Sequence, residues 1–212
     1  MIRCFLMART RQKAATDTPT RILDVAERLV QRRGFNGFSY ADVAGELKIT
    51  TASLHYHFAG KAELGRALVA RYSARFFDAL GAIDASLPDA GARLQAYANL
   101  YAAVLRERRL CLCGMLAAEF NTLPKRMRES VLHFFDENEV WLTRVLEQGR
   151  EAGVLQFGGS PEEAARMLVC GLEGAMLVSR PYGGVSRFQS AAEQLIAGLT
   201  PKAGVAPSSD SN

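Results

Sequence analysis

Three histidines, four cysteines and one dense run of hydroxyl and aromatic side chains carry most of the chemistry open to this 212-residue chain. His55 and His57 stand two apart, a spacing that sends side chains to different faces of a helix, so the pair does not chelate one ion. His133 is remote from both and has no carboxylate–histidine cluster beside it, so no metal is expected. Cys111 and Cys113 share the two-residue spacing, which argues against a mutual disulfide or a two-ligand site. Together with Cys4 and Cys170 they make no disulfide framework in a chain of this length, and reduced thiols in a cytoplasmic protein are expected. Neither a Gly-x-Ser-x-Gly elbow nor a phosphate-binding loop occurs, so no enzyme and no cofactor are expected.

The remaining candidate is the run Thr50, Thr51, Ser53, His55, Tyr56 and His57. Small hydroxyls at a helix start approach base edges and phosphates, and the backbone N–H groups there favour anions. To act so, the run needs a frame. Ser39 opens a short helix whose inner face is Val43, Ala44 and Leu47; Ile49 plugs the turn; Leu54 and Phe58 anchor a second helix. Ala44 is small enough for the two helices to cross closely. Two short helices joined by a tight turn form a helix-turn-helix, spanning about 40–59. Lys61, opening the next helix, is placed for a phosphate contact.

Charge supports a polyanion partner for the first part of the chain alone. Residues 1–80 hold 13 Lys and Arg against 7 Asp and Glu, or +6, whereas residues 81–212 hold 13 against 15, or −2. Spacings of three and four residues dominate and strand signals are scarce, so the chain reads as all-α. Helices are expected at about 18–33, 39–47, 50–58, 60–84, 89–108, 111–121, 124–152, 160–179 and 185–199, between a basic arm at 1–16 and a polar tail at 201–212. "MIRCFLM" is too short and too closely followed by Arg9, Arg11 and Lys13 for a secretory signal, and the apolar segment at 164–178 is short for a bilayer.

The order "AERLVQRRGFNGFSYADVAGELKITTASLHYHFAGKAELGRAL" resembles the DNA-binding domain of TetR/AcrR-family transcriptional regulators. The likeness is carried by Gly34, Phe35, Ser39, Asp42, Val43, Ala44, Leu47, Leu54, Tyr56, His57, Phe58, Lys61 and Leu64. It implies a DNA-binding domain at 17–77 and an effector-binding and dimerisation domain at 78–200. It implies DNA contacts from Ser39, Tyr40, Lys48, Thr50, Thr51, Ser53, His55, Tyr56, His57 and Lys61. The family usually has Gly where Lys48 sits, so either the turn is mildly strained or it is relaxed. His55 stands where the family usually has Tyr, with Tyr56 next.

By the same resemblance an apolar effector cavity is expected, with Tyr97, Tyr101, Met115, His133 and Trp141 as lining candidates. "RRLCLCGMLAAEF" resembles a subgroup in which the cysteine matching Cys111 senses electrophiles or hypochlorite, with a cation at Arg180; a buried, inert thiol is the alternative. The family's homodimer implies an interface near Gly171, Leu172, Gly174, Ala175, Leu177, Val178, Leu195 and Ile196. The expected protein is thus a homodimeric, ligand- or thiol-responsive repressor on a palindromic operator. The rival is a small-molecule-binding or enzymatic helical protein with a relic helix-turn-helix.

Overall fold

The computed structural model describes residues 18–183 and 185–201. The expected arm at 1–16 and the tail beyond Pro201 lie outside them. The described residues form helices and connecting turns only: α1 (Thr18–Arg33), α2 (Tyr40–Leu47), α3 (Thr51–His57), α4 (Lys61–Ser86), α5 (Ala90–Arg106), α6 (Leu112–Ala118), α7 (Lys125–Glu151), α8 (Pro161–Ser179) and α9 (Val185–Ala197). Short 3₁₀ turns follow α6 and α8, at Phe120–Thr122 and Arg180–Tyr182. No described helix is long and apolar enough to cross a membrane.

The helices pack as two compact units. One unit takes the described residues up to 79 together with 103–137; the other takes 80–102 and the described residues from 138 onward. Helices α4, α5 and α7 each contribute to both. Residues 103–137 go with the first unit because α6 packs on α1, and Leu110 N–H donates to the Gln31 carbonyl.

In the first unit, α1 buries Ile22, Val25, Ala26, Leu29 and Val30, one stripe at helical spacing. It stops at Gly34, whose φ of +83° is the left-handed conformation that glycine adopts without cost. Phe35 and Phe38 then turn inward, edge to face at 6.0 Å. Deeper in this unit Tyr72, Phe76 and Phe77 of α4 pack on Phe134 of α7. The buried Glu27 carboxylate accepts from Arg71 and Arg75, so the one deeply placed charge of α1 is paired.

In the second unit Tyr97, Tyr101, Asn138 and Trp141 form a buried cluster. The Tyr97 hydroxyl donates to Asn138 Oδ1 at 2.9 Å and lies 3.1 Å from the Tyr101 hydroxyl, while Tyr97 and Trp141 stack at 5.6 Å. Trp141 Nε1 donates to Asp84, which also pairs with Arg144. Ser160 and Glu163 cap α8 reciprocally. Helices α8 and α9 pair closely at Gly171, where a Cβ would lie 2.8 Å from the Leu195 side chain.

Candidate nucleic-acid interface

The second of two short helices presents the candidate reading surface, and its rigidity is built from caps. Ser39 caps α2: its Oγ accepts from Asp42 N–H, and the Asp42 carboxylate accepts the Ser39 N–H at 2.7 Å. The Ser39 hydroxyl, which donates to the Asp42 carboxylate at 2.6 Å, and then the Ser39 N–H hold the Asp42 carboxyl below its usual range. Thr50 caps α3, accepting from Ser53 N–H at 3.1 Å. Val43, Ala44, Leu54 and Phe58 are buried, so the helix crossing rests on a small residue and two anchors. Leu47 and Ile49 are only half-buried; the turn is closed instead by Ile49 N–H donating to the Ala44 carbonyl at 3.0 Å.

Lys48 adopts φ 56° and ψ 44°, so the turn is left-handed and the non-glycine residue is strained there. Lys48→Gly is therefore expected to raise the unfolding free energy by roughly 1 kcal/mol. Because Lys48 is exposed beside α3, the same change should shorten the salt slope of duplex binding by about one unit. Urea unfolding and a salt titration of DNA affinity check the two signs independently.

The expected DNA contacts divide into three groups. Lys48, Thr51 and Tyr56 are exposed, Tyr56 by 86%, and form the outward face. The Ser39 and Thr50 side chains are engaged in caps, and Ser53 and His57 are half-buried, with Tyr56 edge-on to the His57 ring. Tyr40, His55 and Lys61 are braces. The Tyr40 hydroxyl donates to the Phe58 carbonyl at 3.0 Å, and burial, then the Glu63 charge, pushes its pKa up to about 12, so it stays a donor. The His55 ring packs against Tyr40 at 4.8 Å, tilted by 50°, and its Nδ1–H donates to the Ala59 carbonyl. Lys61 turns inward, donating to the Phe38 carbonyl between the Phe35 and Phe38 rings at 4.8 and 4.4 Å, and burial lowers its pKa. The phosphate contact expected of Lys61 is thus not the role its ammonium has here.

The expected effector set is also redistributed. Tyr97, Tyr101 and Trp141 come together in the second unit, whereas Cys111, Met115 and His133 belong to the first. His133 is a correction. Its side chain is 72% exposed and faces Glu137 one turn on, so it lines no interior space. Cys111 is 1% exposed and takes a 3.6 Å hydrogen bond from the Tyr72 hydroxyl, the setting of a buried thiol rather than an accessible one. Arg180 is exposed at the 3₁₀ turn of the other unit.

The expected interface residues divide between the inside of the protomer and its surface. Leu172 and Ile196 are buried within the protomer, and Gly171 serves the approach of α8 to α9. The exposed apolar stripe of α8 is instead Met167, Cys170, Gly174, Leu177 and Val178. Met167 and Cys170 stand three and four residues along the helix from Gly174, Leu177 and Val178, a spacing the sequence already offers.

Comparison with known proteins agrees with this architecture. Residues 22–68 match the family model of bacterial regulatory proteins, tetR family, and residues 90–195 match the tetracyclin repressor-like C-terminal domain. The HTH-type transcriptional repressor NemR of Escherichia coli (strain K12) is 27% identical over 174 residues, covering 77% of this chain and 84% of that protein. The HTH-type transcriptional repressor DhaR of Mycobacterium sp. (strain GP1) is 24% identical over 168 residues, covering 76% and 82%. Among solved structures, a TetR-family regulator from Agrobacterium tumefaciens superposes with a TM-score of 0.84 at 29% identity, covering 88% of this chain and 99% of its own. A TetR regulator from Legionella pneumophila gives 0.79 at 30% identity, covering 86% and 97%. With both the helix-turn-helix and the domain beyond it matched, this chain belongs to the tetR family of bacterial regulatory proteins and is a DNA-binding transcriptional regulator, not an enzyme.

Proposed function

We propose that the protein is a cytoplasmic, ligand-responsive repressor that binds a palindromic operator as a homodimer. The observation that carries this is the exposed Lys48–Thr51–Tyr56 face on a helix anchored by Leu54 and capped by Thr50. In a two-fold dimer, two such helices enter successive major grooves about 34–36 Å apart. Thr51 and Tyr56 are assigned to bases and adjoining phosphates, and Lys48 to the backbone. The exposed α8 stripe supports dimerisation, since contiguous exposed apolar area marks an interaction surface.

The buried Tyr97–Tyr101–Asn138–Trp141 cluster is our candidate effector region, an apolar setting with a few oriented polar groups. An effector that prefers one arrangement of the two heads by about 1–3 kcal/mol suffices for release from DNA. The names of the curated relatives support repression. The burial of Cys111 favours ligand response over direct thiol chemistry.

Footprinting on genomic fragments retained by the protein tests the reading. The expected result is two protected grooves on one face of the duplex, related by two-fold symmetry. Retention of no fragment overturns it. Native mass spectrometry of the purified protein then identifies any effector it carries.

A further inference from the structure

We propose that Glu119 is the positioning residue that fixes the α1–α2 turn, and through it the helix-turn-helix, in the arrangement that reads DNA; the proposal rests on the DNA-binding reading above. Glu119 caps the C-terminal end of α6. Its carboxylate accepts the Phe35 N–H at 2.5 Å and the Asn36 N–H at 3.3 Å, across more than eighty residues of sequence. A second tie joins the same segments: Asn36 Nδ2 donates to Thr122 Oγ1 at 2.8 Å.

The turn and the carboxylate are fitted to one another. Gly34 is left-handed, and a Cβ there would lie 2.6 Å from Glu119 Oε1, so the acid fills the space that the missing side chain leaves. Glu119 also faces a charge. It is the leading attraction that offsets the burial of Lys61, whose ammonium holds the Phe38 carbonyl between the two phenylalanine rings. Three segments therefore meet in one polar knot: the end of α6, the α1–α2 turn and the first residue of α4. Helix α2 begins directly after the knot, and α4 begins directly after the recognition helix. The knot thus holds the helix-turn-helix at both its ends.

The far end of α6 is pinned as well, because Cys111 is its N-terminal flanking residue and bonds the Tyr72 hydroxyl. A seven-residue helix held at both ends has no slack. Replacing the carboxylate takes it away from two backbone donors. Those donors then lose a charged acceptor, which is the strong kind of hydrogen bond.

Three proteins test this: wild type, Glu119→Gln and Glu119→Ala. Each is titrated with a duplex selected by wild-type protein from a random pool, and with a mixed-sequence duplex of equal length. Amide exchange at Phe35 and Asn36 is followed in parallel. The alanine variant is expected to lose about tenfold in affinity for the selected duplex and the glutamine variant about threefold. Affinity for the mixed duplex should be unchanged, and exchange at both amides faster. Faster exchange with unchanged affinity for the selected duplex reduces Glu119 to a packing residue and overturns the proposal. Should the alanine variant fail to fold, the glutamine variant decides by the same comparison. A wild-type protein that holds neither duplex overturns the DNA-binding reading itself, and the proposal with it.

Discussion

Leu177→Glu combined with Val178→Glu is expected to turn the proposed homodimer into monomers and to cut operator affinity by about 10²–10⁴-fold. Both side chains are exposed on α8 in the stripe that runs from Met167 through Cys170 and Gly174. A carboxylate placed in the middle of an apolar interface loses its hydration without gaining a partner, and twofold symmetry doubles each substitution. The protomer should fold normally, because neither residue belongs to its core. Affinity falls so far because a palindrome is held by two heads, and the second head binds at high effective concentration only while it is linked to the first. Sedimentation gives the oligomeric state, and Cys170 gives an internal check. This exposed thiol lies within the stripe, so maleimide should label it in the variant and spare it in the wild-type dimer. A variant that remains dimeric places the interface elsewhere.

Leu54→Ala should cost about 2–5 kcal/mol of stability and remove operator binding under conditions where most molecules remain folded. Leu54 is 0% exposed and is the one fully buried side chain of α3. A seven-residue helix has no stability of its own, so its orientation depends on that anchor together with the Thr50 cap and Phe58, whose N–H closes on the Leu54 carbonyl at 2.9 Å. Removing the anchor leaves a cavity that α3 fills by moving, which misplaces Thr51 and Tyr56. Urea unfolding and DNA titration below the unfolding transition separate the two effects. Full operator affinity in a folded Leu54→Ala protein would show that α3 is not held in this way.

What the sequence discloses and what it hides follow a physical division. Caps, turns and stripes are local. Ser39 with Asp42, Thr50, Gly34, and Ser160 with Glu163 announce themselves within three or four residues, and each does in the structure what its spacing requires. Exposed and buried members of one helix are harder to separate. Leu172 and Leu177 look alike in sequence, yet the first packs inside the protomer and the second faces out, because α9 covers only one side of α8. His133 misleads for the same reason: one residue away, Phe134 enters the aromatic core while the histidine points to solvent.

Long-range polar bonds leave no mark in the sequence at all. Nothing near Lys61 indicates that its ammonium is engaged by the Phe38 carbonyl, and nothing near Phe35 indicates that its N–H is met by Glu119. Nor does a run of hydroxyls show which of them cap their own helix and which remain for a ligand. The exposed face we propose for reading DNA is consequently smaller than the sequence suggests, centred on Lys48, Thr51 and Tyr56, and better braced.

In vitro selection from random duplexes decides whether this small face reads DNA. Wild-type protein should enrich a two-fold symmetric site with half-sites one helical turn, or a multiple of it, apart. Thr51→Ala and Tyr56→Ala should melt as wild type does, keep that spacing, and change the preferred bases inside both half-sites. Identical consensus sequences from all three proteins, or no enrichment by the wild type, would mean that Thr51 and Tyr56 do not read bases.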